Sequence, residues 1–547
     1  MIKETGFIKK EWGARLPVLL VYPDTYRTGM SNLAVHTIYE LLNKIDNITC
    51  ERCFWRKGDK NPLSIESKRR VSDFSIIAFS VSFESDYINL VDFIKASRIE
   101  LYSSDRRHGP LVIAGGAAIT LNPEPVSEFI DACIIGEAEG LLDSVAEIVY
   151  HDMKNSLDRI DILHELDELE GVYIPSFYNV TRDTNGNIIG INHKYKTEKM
   201  VKRHFSPPSE FLSSTVIYTN DTTFSNMHLI EVSKGCGYRC RFCISGYAYL
   251  PPRHKDINIL KNNLKSLPVH VKRVGIISPM VTEYPDLHEL LAYIHKLGLR
   301  ASMSSMRADA VNGQDMNSVE LQYDQMSVAI APEAGNYRLR KIINKSLTDE
   351  QIIKAVELLD KAGIKILKLY FLIGIPSETD QDIFDIINMV LLLKSKLRYG
   401  KISVSINPLI PKPHTPFQWL PVINGTVLRH RLDIIKSGFK GKGIRIEWEK
   451  HYMLQAILSR GGRELSKFLI HLSEHDTSVS MTIKDTAIDL DYYLYRKRDI
   501  HEIFPWDFID YGFTKGFLYK EYELGMKGIL TPKCKPDVCK LCGICNT

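Results

Sequence analysis

Glu231-Val-Ser-Lys-Gly-Cys236-Gly-Tyr-Arg-Cys240-Arg-Phe-Cys243 sets three thiols within eight residues, at the end of an apolar strand candidate over 229–232. With 10 cysteines in 547 residues, chance supplies roughly 0.003 such C-x3-C-x2-C spacings. Three thiolates can hold three irons of a cubane and leave the fourth iron open to another ligand. A structural zinc site needs a fourth ligand, and no cysteine or histidine follows at the usual finger spacing.

Outward from this loop, residues 228–424 alternate between short apolar runs and helical patterns. Strand candidates fall at 229–232, 274–278, 301–305, 325–331, 366–373 and 402–409. A helix fits 348–362, stopped by Gly363. Six such steps suggest a partial (β/α)6 barrel, with its active site at the strand C-termini.

Upstream, residues 1–150 carry apolar runs at 18–22, 75–82, 110–116 and 132–136, again separated by helical patterns. This predicts an α/β fold with a doubly wound parallel sheet, where ligands bind beyond the strand C-termini. Residues 151–227 read as a linker with a hairpin at Asp183-Thr-Asn-Gly-Asn187, Asn185-Gly186 suiting a type I′ turn. Residues 425–547 form a mixed C-terminal region.

Composition bounds the function. The chain is 44% apolar and 25% charged, with 70 basic and 66 acidic residues. A net charge of +4 does not indicate nucleic-acid binding. The N-terminus Met1-Ile-Lys-Glu-Thr-Gly lacks a signal peptide's apolar core. The apolar run 386–393 ends at Lys394, too short to span a bilayer. A cytoplasmic location without membrane attachment is expected, where cysteines serve metals more often than disulfides. The second cluster of them, Cys534, Cys539, Cys542 and Cys545, suits either an auxiliary iron–sulfur cluster or zinc. Cys50-Glu-Arg-Cys53 reads as two free buried thiols.

The C-x3-C-x2-C spacing, with Phe242 before its last cysteine, resembles the signature of the radical S-adenosylmethionine superfamily. The resemblance implies a 4Fe–4S cluster on Cys236, Cys240 and Cys243, whose open iron chelates S-adenosylmethionine and generates a 5′-deoxyadenosyl radical. Further matches run over 230–420: Ser304-Ser305-Met-Arg307, Ala331-Pro-Glu333-Ala-Gly335 with Arg338-Leu-Arg340, and Leu372-Ile-Gly374-Ile-Pro376. They imply Ser278, Ser305, Arg307, Glu333, Arg340 and Gly374 as S-adenosylmethionine contacts. Glu333 would suit ribose hydroxyls and Arg340 the methionine carboxylate. The second strand departs from the family pattern, ending Ile277-Ser278-Pro279-Met280 where Gly-Gly-Glu is common.

Residues 1–150 resemble the cobalamin-binding domain of one superfamily subgroup, through Ser80-Val-Ser82, Gly115-Gly116, Asn122-Pro-Glu-Pro125 and Gly136-Glu-Ala-Glu-Gly140. The resemblance implies Ser80, Ser82, Gly115, Gly116 and Gly136 as cobalamin contacts. The Asp-x-His-x-x-Gly motif for an axial histidine is absent, and His36 reads as structural. The whole chain looks like a little-characterised family with a Cys-rich C-terminus. The expected function is cobalamin-dependent methyl transfer to an unactivated carbon of an unidentified substrate, with an electron donor such as flavodoxin or ferredoxin. The alternatives are a methylthiotransferase, another radical rearrangement or cyclisation, and a non-catalytic cobalamin carrier or redox sensor.

Overall fold

A computed structural model describes residues 3–546 apart from 156–157, 199, 208–210, 304–305, 312–326, 476–477 and 537. Contacts divide the chain into two units that are not consecutive in sequence. One comprises 1–225, 454–493 and 499–512; the other comprises 226–453, 494–498 and 513–547. The expected C-terminal region at 425–547 is therefore shared between the two, and 151–225 belongs to the first unit.

The first unit is built on β1 (Leu16–Tyr22), seven apolar or aromatic positions all buried. β2 (Ile48–Phe54) flanks it on one side and β3 (Ile76–Ser80) on the other. β4 (Leu111–Gly115) and β5 (Ala132–Ile134) continue the parallel sheet, and β6 (Val172–Tyr173) ends it antiparallel. The chain runs from β1 to β2 on one side and then crosses back to β3 on the other, so the crevice beyond Tyr22 and Ser80 is the topological switch point of the sheet.

No strand is expected from sequence over 48–54, because its centre is Glu51-Arg52. The structure buries both charges by pairing them. Arg52 donates to Glu4 at 2.8 Å and to Glu66 at 2.7 Å, while Glu51 accepts from Trp12 at 2.8 Å. Breaking such a buried pair costs about 3–5 kcal/mol. Cys50 and Cys53 are buried free thiols; three residues apart on one strand, they face opposite sides of the sheet.

The predicted hairpin forms as β7 (Tyr178–Arg182) and β8 (Ile188–His193). Its turn is not type I′, because of its two central residues only Gly186 has positive φ, at 84°. The Asp183 carboxylate instead accepts from the Asn185 and Asn187 N–H groups at 2.9 and 2.8 Å, closing a longer loop. The Asn122-Pro-Glu-Pro element clamps the returning chain. Asn122 donates to the carbonyls of Ser459 and Gly461 at 3.1 and 2.8 Å, and Glu124 pairs with Arg463 at 2.9 Å.

The second unit contains two parallel sheets. One is β9 (Met227–Glu231), β10 (Arg273–Ile277) and β11 (Arg300–Met303). The other is β12 (Ser327–Glu333), β13 (Ile366–Ile373), β14 (Lys401–Pro408) and β15 (Arg445–Trp448). The seventh strand, β15, goes beyond the six expected; its sequence Arg-Ile-Glu-Trp alternates without an apolar run. After β12, a short helix α1 (Tyr337–Ile342) precedes α2 (Asp349–Lys361), which has a Thr348/Gln351 capping box. The apolar run 386–393 lies within α3 (Asp380–Lys396). No described helix is long and apolar enough to cross a membrane.

Candidate active site

The three-cysteine loop leaves β9 at its C-terminal end and is tied down by its own backbone. Gly235 has φ 73°, and a Cβ there would fall 2.2 Å from the Tyr249 carbonyl oxygen, so only glycine fits. The Cys236 N–H donates to Ser245 at 2.9 Å and the Cys243 N–H to Cys240 at 2.9 Å. Asn344 donates to the carbonyls of Tyr238 and Arg239 at 3.1 and 3.2 Å. Arg239 is held at φ 51°, a conformation that costs a non-glycine residue about 1–3 kcal/mol. Local strain and side-chain clamps together fix where the three sulfurs lie.

The thiols sit among cations. Burial pushes Cys240 up to about 12, with Lys345 and Arg307 opposing the rise. Burial likewise raises Cys236, opposed by Arg307 and Lys533. Three positive side chains facing part-buried thiols suit ligands that bind as thiolates around an anionic centre. Among the described residues, no three His, Cys, Asp or Glu side chains form a group that could hold a single metal ion. A cubane distributes its thiolates over different irons. The donor set thus fits the iron–sulfur centre implied for this loop.

The residues expected to contact S-adenosylmethionine are placed variously. Ser278 follows β10, and its hydroxyl accepts from the Met280 N–H at 3.0 Å. Ser305 lies outside the described residues. Arg307 is clamped by Asp309 at 2.8 and 3.0 Å and lies 3.8 Å over the Tyr238 ring. Glu333 ends β12 with φ 66° and pairs with Lys345 at 2.9 Å.

Arg340 departs from its expected role. It is fully buried, and its three nitrogens donate to the carbonyls of Leu347 and Ala334 and to Asp349. That guanidinium is spent largely on closing the α1–α2 turn, with each of its three nitrogens engaged inside the fold. Gly374 has φ 94°; its N–H donates to Glu378 at 2.7 Å, and an added Cβ would lie 2.9 Å from Ile423. Tyr238, Asp309, Lys345 and Lys533 were not singled out from sequence. Their only signal was adjacency, Tyr238 lying inside the cysteine loop and Lys533 preceding Cys534.

The end of the chain lies against the same loop. After α4 (Lys515–Met526), Arg241 donates to Ile529 at 2.8 Å and Thr531 at 3.0 Å. The Cys534 N–H donates to the Gly237 carbonyl at 2.7 Å. Burial and the thiols of Cys539, Cys542 and Cys545 push Cys534 up to about 12, while Arg239 opposes them.

In the first unit, Ser80 ends β3 with its hydroxyl buried and without a hydrogen-bond partner among the described residues. Ser82 accepts from Asn32 at 2.7 Å. Two glycines expected to leave room for a nucleotide are needed by the protein itself. A Cβ on Gly116 would meet the Val81 carbonyl at 2.4 Å, and one on Gly136 the His204 carbonyl at 2.3 Å. Gly115 is less confined, with Ile134 at 3.4 Å. His36 uses both ring nitrogens, Nε2 with Met30 at 3.2 Å and Nδ1 with Val216 and Ile217 at 3.3 Å.

Comparison with known proteins follows the same division. Residues 34–175 match the family "Radical SAM proteins, N-terminal", and 230–390 match the "Radical SAM superfamily". The uncharacterized protein MJ0966 of Methanocaldococcus jannaschii is 31% identical over 489 residues, covering 88% of this chain and 96% of that protein. The tRNA-2-methylthio-N(6)-dimethylallyladenosine synthase of Anaplasma phagocytophilum is 23% identical over 201 residues, 34% of this chain and 44% of that enzyme. Among solved structures, TsrM of Kitasatospora setae with cobalamin and a [4Fe-4S] cluster bound has a TM-score of 0.48 at 14% identity, covering 74% of this chain and 77% of that one. OxsB with aqua-cobalamin bound has a TM-score of 0.47 at 18% identity, covering 69% of this chain and 52% of that one. With its three-cysteine loop at the mouth of a parallel β/α sheet and both family regions matched in order, this chain belongs to the radical S-adenosylmethionine superfamily, enzymes that work with a 4Fe–4S cluster and S-adenosylmethionine.

Proposed function

We propose that this radical S-adenosylmethionine enzyme also binds cobalamin and transfers a methyl group to an unactivated carbon. The observation that carries the proposal is the switch point of a doubly wound sheet, where such sheets bind ligands. The half-buried Ser82 and Asn32, hydrogen-bonded to each other at 2.7 Å, border that edge. Gly115 lines the next strand end, and Gly116 and Gly136 are also required by packing, whether or not cobalamin binds. His36, with both ring nitrogens engaged by backbone groups, would not be among the residues holding the group.

When bound, the cluster with S-adenosylmethionine supplies a hydrogen-abstracting radical and cobalamin supplies a transferable methyl group. The chain's own part is placement. Ser278, Glu333 and Gly374 stand at or just beyond strand C-termini, where S-adenosylmethionine is to be held. Lys345 fixes one oxygen of Glu333, and the carboxylate keeps lone pairs for ribose hydroxyls. Arg307, locked by Asp309 and Tyr238, holds positive charge beside Cys240.

Anaerobic purification with hydroxocobalamin, followed by cobalt analysis and absorption spectroscopy, tests the proposal. Cobalt near one per chain, with 5′-deoxyadenosine and S-adenosylhomocysteine formed under reductant, is expected. Formation of 5′-deoxyadenosine by a protein that takes up no cobalt overturns it.

The likeness to tRNA methylthiotransferases suggests a second reading, in which the first unit holds another cluster on its cysteines. Cys50 on β2 and Cys133 on β5 are four strand steps apart, about 19 Å. Both are fully buried with thiols well above their ordinary range. They cannot share one cluster, which favours the cobalamin reading.

A further inference from the structure

We propose that Cys534, Cys539, Cys542 and Cys545 hold a second iron–sulfur cluster, wired to the first through the Gly237 peptide and Arg239, that relays single electrons to it. This goes beyond the methyl-transfer reading and does not depend on cobalamin.

Four observations carry it. First, the last three cysteines have the C-x2-C-x2-C spacing of ferredoxin ligands, and Cys534 supplies the fourth thiol. Cys534 is buried and within electrostatic reach of the other three.

Second, the segment is docked rather than trailing. Its attachments are Cys534 N–H to Gly237 at 2.7 Å, Thr531 N–H to Asn344 at 2.8 Å, Arg239 to the Pro532 carbonyl at 2.6 Å, and an ion pair of Lys533 with Glu283. A Cβ on Gly237 would lie 2.9 Å from the Cys534 carbonyl oxygen, so the contact itself calls for glycine.

Third, Arg239 is completely buried, yet its Nε and Nη1 have no hydrogen-bond partner among the described residues. A buried guanidinium with idle donors is costly unless an anion faces it. Its charge acts on Cys534. Four thiolates around a core with two positive charges make a doubly anionic centre, and a buried cation acting on one of its ligands raises its potential.

Fourth, the two sets of ligands are one hydrogen bond apart. Cys236 is followed by Gly237, whose carbonyl accepts from the Cys534 N–H. An electron can pass from one ligand to the other through a single peptide contact. A reduced donor of the ferredoxin or flavodoxin class gives one electron to the C-terminal cluster and is itself oxidised by one. The C-terminal cluster then reduces the first cluster by one electron and returns to its oxidised state; no bond is formed or broken.

The test uses the full-length protein, reconstituted anaerobically with iron and sulfide. Wild type is expected to carry about eight irons and about eight sulfides per chain. C539S/C542S/C545S, which alters the more exposed ligands and leaves the docked Cys534, should retain about four of each. C236A/C240A/C243A should also retain about four, now with the spectrum of the C-terminal cluster. With reduced flavodoxin as donor, 5′-deoxyadenosine formation by C539S/C542S/C545S should fall at least about tenfold, while titanium(III) citrate restores it. R239Q should keep its iron and show a lowered midpoint potential for the C-terminal cluster, with R239K closer to wild type. About four irons in wild type, zinc without sulfide at the C-terminal site, or equal flavodoxin-driven rates in the two proteins would each overturn the proposal while leaving the first cluster and the cobalamin reading intact.

Discussion

The Arg307 guanidinium lies 3.8 Å over the ring of Tyr238 while Asp309 grips its edge. Tyr238 belongs to the cluster loop, between Cys236 and Cys240, and Arg307 follows β11. The stack therefore pins a loop made of short turns to a strand end. The Tyr238 hydroxyl adds a 2.7 Å hydrogen bond to Glu283.

Tyr238→Ala is expected to loosen this attachment by about 1–3 kcal/mol, combining the lost cation–π contact and hydrogen bond. Tyr238→Phe keeps the ring and should lose about 1 kcal/mol. Iron retained after desalting and the unfolding midpoint should both rank wild type, Phe, Ala.

Replacing Arg340 separates a structural role from a cofactor role. With three nitrogens engaged inside the fold, Arg340→Met should destabilise the second unit by about 1–3 kcal/mol, since it leaves the Leu347 and Ala334 carbonyls unpaired while the half-exposed Asp349 returns to water. Chemical denaturation would reveal this. Unchanged stability with lost S-adenosylmethionine affinity would instead return Arg340 to the binding site.

Ser80 and Gly116 should behave oppositely. Ser80→Ala removes an unpartnered buried hydroxyl, so stability should be unchanged or rise by about 1 kcal/mol, with cobalamin uptake unchanged. Gly116→Ala forces a methyl group against the Val81 carbonyl at a φ of 106°, and should lose more than about 1 kcal/mol whether or not cobalamin is present. Unfolding midpoints with and without hydroxocobalamin distinguish the two effects.

A pH dependence follows from His228, on the strand that feeds the cluster loop. Burial brings its imidazole down to about 4 from an ordinary 6.5, with its bond to Asn263 opposing the drop. Between those values the unfolded chain binds the proton and the folded chain does not. The contribution of this group is complete above about pH 6.5 and is lost as pH falls toward about 4. The denaturation midpoint of wild type should drop between about pH 7.5 and about pH 5, and that of His228→Gln should drop less.

Much of the fold was legible because apolar periodicity is a local property. β1, β3 and β4 are continuous apolar runs and β13 with β14 alternate in step with a strand buried on one face, and they lie where the sequence puts them. β2 and β15 were not legible. In β2 the charge of Arg52 is neutralised by Glu4 and Glu66, and Glu51 accepts a hydrogen bond from Trp12, partners that sequence distance hides. In β15 the strand exists because β14 offers it an edge, not because Arg-Ile-Glu-Trp demands one.

The sequence alone set three candidate ligands side by side, because three thiols within eight residues are neighbours however the chain folds. It could not assign side chains whose work depends on what lies opposite them. Arg340 has the composition of a carboxylate-binding motif, yet its position after β12 turns it inward to Leu347, Ala334 and Asp349. Gly116 and Gly136 suit a bound nucleotide by type, yet neighbouring carbonyls already occupy the space their missing side chains leave. Tertiary structure decided these roles, and it alone brought Cys534 against Gly237 across some 300 residues of chain, because a hydrogen bond depends on separation in space and not along the sequence.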